Sequence, residues 1–207
     1  IENYVRAGGK VQVDSGGMEG TSATARITYK TPPNFDQSLT FIEGLAMAAQ
    51  ESKEGKPGNL VFVAPSKPGD LEGSQALMDQ YADRLSNLMH LGVQVVVPVE
   101  TEGDVPSVEN QVSRILEVLP YQNLVIGVQG AGNTLAKKNK TTQIAQELKA
   151  VGDAFPALSR VHVFGLGDTT MLDELVLRTE IATDKKFTFS NDTNARGSRA
   201  VQTRMQQ

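Results

Sequence analysis

Apolar residues fall into two kinds of cluster that alternate along this chain. Short apolar runs, most of them almost unbroken, occur at Val11–Val13, Leu60–Ala64, Val93–Val99, Leu124–Val128, Val161–Leu166 and Phe187–Ser190. Most are rich in Val, the mark of strands buried on both faces of a parallel sheet. Between them apolar residues recur every three or four positions. The segments are Leu39–Gln50, Leu77–Leu91, Val108–Leu119, Thr142–Val151 and Leu172–Ile181. Each makes one stripe on a helix, the pattern of a helix lying on a sheet. Ser107 suits the N-cap of the third of these helices, and Gly92 suits the end of the second.

Strand and helix alternate to the last strand, which predicts an α/β protein. Two architectures fit. One is a TIM-type (β/α)8 barrel lacking its first two strands in this chain; the other is an open doubly wound parallel sheet. A whole barrel takes ~250 residues, and one short of two strands comes close to the 207 present. No linker divides the chain, so 1–207 is expected to be one domain. It opens at Ile1 with no initiator Met, and is read as part of a longer or processed chain.

Composition narrows the chemistry. Hydrophobic residues are 39% and charged residues 21%, ordinary for a folded globular chain. The absence of cysteine removes disulfides, iron–sulfur clusters and thiolate-held zinc from this chain. With only His90 and His162 as histidines, no metal site and no cofactor are expected. His162 lies inside a strand and reads as a core histidine; His90 ends a helix, where it suits the dipole. The net charge of −4 gives no global field for nucleic acid, although local basic clusters remain. No apolar run reaches the ~20 residues of a membrane span, and a cytoplasmic location is expected.

In parallel α/β folds, chemistry gathers at the carboxyl ends of strands. Those ends are polar here: Asp14, Pro65-Ser66, Glu100, Gln129-Gly130, Gly165 to Asp168, and Asn191-Asp192. Asp14 and Asp192 stand out. Each closes an alternating strand, and Ser15-Gly16-Gly17 after Asp14 lets backbone turn sharply beside a ligand. Two carboxylates on separate strand ends can divide nucleophilic and proton-handling roles in glycosidic chemistry. Gly130-Ala131-Gly132 and Gly165-Leu166-Gly167 are weak phosphate-turn patterns. Lys137, Lys138 and Lys140 form a basic cluster, and Arg196, Arg199 and Arg204 follow the last strand. All follow strand carboxyl ends, where cations can hold a phosphate backbone. Residues 16–33 form a long Gly/Ser/Thr/Pro-containing loop of the kind that covers a site.

These residues together resemble the tRNA-guanine transglycosylase superfamily, whose members are (β/α)8 barrels. Asp14-Ser15-Gly16-Gly17 is similar to the family's Asp-Ser-Gly-Gly motif. Val97 to Glu100 falls on its strand ending in Gln-Gly. Val125-Ile126-Gly127 falls on Ile-Gly-Gly, and Val163 to Gly167 on Met-Gly-Val-Gly. Phe189 to Asp192 falls on the strand delivering the nucleophile, and Asn194-Ala195-Arg196 on the Asn-Ala-Arg behind it. The six strands then stand for the third to eighth of the barrel.

The resemblance implies base exchange. Asp192 attacks C1′ of a guanosine and guanine leaves. A 7-deazaguanine base then displaces the aspartate, while Asp14 recognises the base and moves protons. Base-binding positions carry over to Ser15, Gly16, Gly17, Met18, Glu100, Gly127, Phe164 and Gly165. Met18 and Phe164 exchange the family's aromatic and Met, so a sulfur–aromatic sandwich survives. Lys137, Lys138, Lys140, Arg196 and Arg199 would hold nucleic-acid backbone. The family's zinc segment is absent, its base-reading Asp on the fourth strand is Pro65, with Ser66 and Asp70 nearby, and its Gln on the fifth is Glu100. These departures look more like the divergent branch that inserts 7-deazaguanines into DNA. Two other readings stay open. One is a non-catalytic barrel acting as a nucleic-acid-binding or accessory subunit. The other is an α/β enzyme binding a phosphorylated metabolite at its glycine turns.

Overall fold

The computed structural model describes residues 1–15, 34–130, 139–165 and 169–191. It is an α/β protein with six strands and six helices among those residues. The strands are β1 (Val11–Asp14), β2 (Leu60–Val63), β3 (Gln94–Val99), β4 (Leu124–Gln129), β5 (Arg160–Phe164) and β6 (Thr188–Asn191). The helices are α1 (Glu2–Arg6), α2 (Phe35–Glu51), α3 (Leu71–His90), α4 (Val108–Leu116), α5 (Lys140–Ala154) and α6 (Thr169–Ala182). Every predicted strand and helix is present with shifted ends, and α1 is additional. The sheet order is consecutive, β1-β2-β3-β4-β5-β6. The pairs β1–β2, β2–β3, β4–β5 and β5–β6 are all parallel.

The contacts divide the chain into two compact units. The first holds 1–100 and 113–125; the second holds 101–112 and the described residues from Ile126 onward.

In the first unit, α2 buries Leu39, Ile42, Leu45, Ala46 and Ala49, one stripe at helical spacing. It packs on β1, β2 and α3. Asn34 caps it, its side-chain oxygen accepting from Gln37 N–H at 3.0 Å. α3 turns Met78, Tyr81, Leu85, Leu88 and Met89 inward, and Asp70 caps it through Gly73 N–H at 2.8 Å. Phe35 meets Tyr81 edge-on, ring centres 6.3 Å apart. α3 ends at Gly92, whose φ of +97° is open to glycine at little cost. Register sets Val13 beside Phe62, and Phe62 beside Val95. Phe62 and Val95 are wholly buried. The alternate row, Gln12–Val61–Gln94, faces the other way and is only half covered.

In the second unit α5 packs along α6. Ser107 caps α4, its Oγ accepting from Asn110 N–H at 3.2 Å. Glu147 of α5 reaches the same helix end and accepts Val108 N–H at 2.9 Å. One strand row is Ile126–Val161–Phe189, and two residues on is Val128–Val163–Asn191. Val128, Val161 and Val163 are wholly buried. The intervening row is Gly127–His162–Ser190.

Candidate functional site

In the first unit, Asp14 ends β1 and is exposed. Successive strand side chains point to opposite faces, so Asp14 lies on the face away from Val13 and α2. Ser15, the next residue, is 2% exposed, and its Oγ is buried with no hydrogen-bond partner. A buried hydroxyl without a partner is costly and rare. Beyond β2, Pro65 and Ser66 are buried. Asp70 is committed to capping α3. Glu100 takes the Gly69 N–H at 2.9 Å, tying the turn before α3 to the end of β3.

A cavity of about 650 Å³ lies where β1 meets the first turns of α2. Val13, Asn34, Asp36, Gln37, Thr40 and Phe41 are among its walls. It sits on Val13's side of the strand, so the Asp14 side chain points to the other face. Arg84 of α3 steadies its helical wall. The guanidinium donates to Glu43 at 2.7 Å, Asp36 at 3.0 Å and Thr40 at 3.2 Å. Those acceptors follow spacings of four and three along one face of α2. Tyr81 donates to Asp36 at 3.4 Å. Burial first, then the Asp36 charge and hydrogen bond, push the Tyr81 hydroxyl above its usual pKa, with Arg84 opposing.

In the second unit, register and alternation put Gly127 and Phe164 on one face with His162 and Ser190. His162 is 2% exposed, with Nδ1 2.9 Å from Ser190 Oγ and its ring edge-on to Phe164 at 4.9 Å. It is a core histidine, as its strand position suggested. Phe164 is 6% exposed, so a base reaching its ring has to displace side chains that now cover it. Gly165 follows with φ +68° and makes the turn out of β5. Gly130 N–H donates to Phe164 O at 2.9 Å, extending the ladder instead of standing free for a phosphate.

Lys140 is the surprise among the cations. It opens α5, is 7% exposed, and its Nζ donates to the Thr101 carbonyl. The sequence carries a signal for this. Lys140, Ile144 and Leu148 follow at intervals of four, so Lys140 belongs to the buried stripe.

No protein-family model, curated protein or solved structure matches the chain. Gly16, Gly17, Met18, Lys137, Lys138, Asp192, Arg196 and Arg199 lie outside the described residues, as do Arg204, the 16–33 loop and both glycine turns beyond Gly130 and Gly165. The described candidates, Asp14, Ser15 and Glu100 in one unit and Gly127, Phe164, Gly165 and Lys140 in the other, all stand at or near strand carboxyl ends except Gly127. Sequence reasoning did not single out Thr101, and it named Asn191 only as part of the last strand end. Thr101 Oγ1 and Asn191 Nδ2 are buried without partners, and both stand at or just after strand ends. Among the described residues no group of three or more His, Asp or Glu is arranged to hold a metal ion, and no helix is long and apolar enough to cross a membrane.

Proposed function

We propose that this chain is a base-exchange transglycosylase of nucleic acid, acting on DNA in preference to tRNA and replacing guanine by a 7-deazaguanine. The observation that carries the reading is the end of β1. Asp14 is exposed there, next to a buried Ser15 hydroxyl that lacks a partner. An exposed carboxylate beside an unanswered hydroxyl suits a ligand that both accepts and donates hydrogen bonds, as a purine edge does. The consecutive parallel order of the strands supports a barrel-type arrangement. Gly127 and Phe164 share a face of their own unit, and a flat base would meet glycine backbone and an aromatic ring there once the side chains covering Phe164 move aside.

In this reading, a carboxylate oxygen of Asp192 bonds to C1′ as the C1′–N9 bond breaks. Asp14, entering this step in its protonated form, gives that proton to the departing guanine and becomes the carboxylate. The incoming 7-deazaguanine returns a proton to Asp14, its N9 bonds to C1′, and the aspartyl ester breaks. The target nucleotide has to leave its stack first.

The test is transfer of labelled guanine into duplex DNA and into tRNA by the full-length protein, repeated with Asp192→Asn and Asp14→Asn. Label in DNA with the parent alone supports the proposal. Equal incorporation by Asp192→Asn removes that residue as nucleophile. No incorporation into either polymer rejects the transglycosylase reading and leaves the accessory-subunit one.

A further inference from the structure

The first turn of α5 holds a buried positive charge with no negative partner. Among the described residues no carboxylate pairs with the Lys140 ammonium; its one partner is the Thr101 carbonyl. An ammonium has three N–H bonds to satisfy, and an unpaired charge away from water is strongly disfavoured. The carboxylates nearby are used elsewhere. Glu174 accepts the Thr141 hydroxyl at 3.0 Å and has Arg178 3.8 Å away. Glu147 caps α4. Glu102 and Asp104, in the loop with Thr101, are exposed, where water and salt screen them.

Two further groups at the same place lack partners. Thr101 Oγ1, on the residue that takes the ammonium, is buried and unbonded. α5, 15 residues long, has no side-chain cap, because Asn139 makes none. Its first-turn N–H groups therefore remain available, at the positive end of the helix dipole. A cation without an anion, a hydroxyl without a partner and an uncapped helix are three separate deficits. A tetrahedral oxyanion has enough acceptor oxygens for all three kinds of donor.

We propose that Lys140, Thr101 Oγ1 and the first turn of α5 form a binding pocket for the phosphate of a phosphomonoester. A carboxylate has two oxygens to share among three kinds of donor, whereas a phosphate has enough. A monoester also suits the burial. It enters with one substituent, while a backbone diester must thread chain in and out. This site gives Lys140 a different role from the backbone contact implied by the resemblance, and it needs neither Asp14 nor Asp192.

The test is thermal unfolding of the full-length protein against inorganic phosphate, with chloride at matched ionic strength as control. Binding to the folded state raises the midpoint in step with ligand concentration. The parent midpoint is expected to rise with phosphate and not with chloride. Lys140→Met should lose at least tenfold in phosphate affinity, yet be no less stable than the parent in phosphate-free buffer. Thr101→Val should weaken phosphate several-fold, and it decides the matter should Lys140→Met not fold. Ribose 5-phosphate should compete with phosphate, and an oligonucleotide without terminal phosphates should not. Absence of a phosphate-specific shift, or parent-like affinity in the variants, overturns the pocket. Lys140→Met less stable than the parent in both buffers assigns the lysine a structural role instead. Equal competition by the oligonucleotide overturns the monoester assignment.

Discussion

Replacing Arg84 by Met should loosen the wall of the β1–α2 cavity without emptying the core beneath it. The guanidinium side chain is 32% exposed, so its stem packs while its fork reaches three acceptors on α2. The arm to Asp36 meets a carboxylate that is 71% exposed, and solvent reduces it to about 0.2–0.5 kcal/mol. The arm to Glu43, 39% exposed at 2.7 Å, falls near the upper end for surface pairs, about 0.5–1 kcal/mol. The bond to the neutral Thr40 hydroxyl adds about 0.5 kcal/mol. The total is about 1–2 kcal/mol, which at this chain length lowers the melting midpoint by roughly 3–6 °C. Urea unfolding should show a lower midpoint with an unchanged slope. Arg84→Lys should recover less than half, because one ammonium cannot serve acceptors spread over two helical turns. Salt should shrink the difference between parent and Arg84→Met, since much of it is Coulombic. Arg84→Met within about 0.3 kcal/mol of the parent would refute the reasoning, as would Arg84→Lys matching the parent.

Tyr81 gives a pH signature in the same network. Its folded pKa lies above the unfolded value of about 10, so its contribution is complete below pH 10 and lost as pH rises through the folded pKa. Parent stability should fall there relative to Tyr81→Phe, and parallel curves above pH 10 would contradict this. Ser15→Ala should leave stability unchanged or raise it by up to about 1 kcal/mol, because it deletes an unanswered buried hydroxyl. The same variant should lose base incorporation, so calorimetry and the labelled-guanine assay are to be read together. Phe62→Ala should cost about 3–5 kcal/mol by denaturant titration, since Phe62 is wholly buried among apolar neighbours. Gly92→Ala should cost about 1 kcal/mol, since a side chain is strained at φ +97°.

The order of strands and helices is legible because buried strands read as Val-rich runs and helices as stripes. The missed parts have physical reasons. α1 is five residues long and buries only Val5, so no stripe exists to read. α3 begins six residues before its predicted start, in Leu71–Ala76, where Gly73 and Ser74 hide the pattern and the Asp70 cap reveals it only in hindsight. Register is invisible in β4, where five of six residues are buried and neither face is marked as polar. The pairing of Gly127 with His162 therefore needed the structure. So did the cavity, which lies where β1 meets the first turns of α2. Lys140 shows the opposite case. The basic run beside it suggests solvated surface, while the apolar stripe it heads gives its burial.

The registers carry a consequence for how the chain is made. Val11 pairs with Leu60, Val61 with Gln94, Ile126 with Val161 and Arg160 with Thr188. In these pairings each strand finds its partner in the next strand to leave the ribosome, and none waits for a segment made much later. Crossovers of this length slow the search for each partner, but the search runs in the order of synthesis. The nascent chain can add strands one at a time to a growing edge, so assembly is favoured from the first strand towards the last. A rearranged gene that opens between β2 and β3 and joins the old ends should lose that order and give a smaller folded fraction during synthesis, even if its final stability is unchanged.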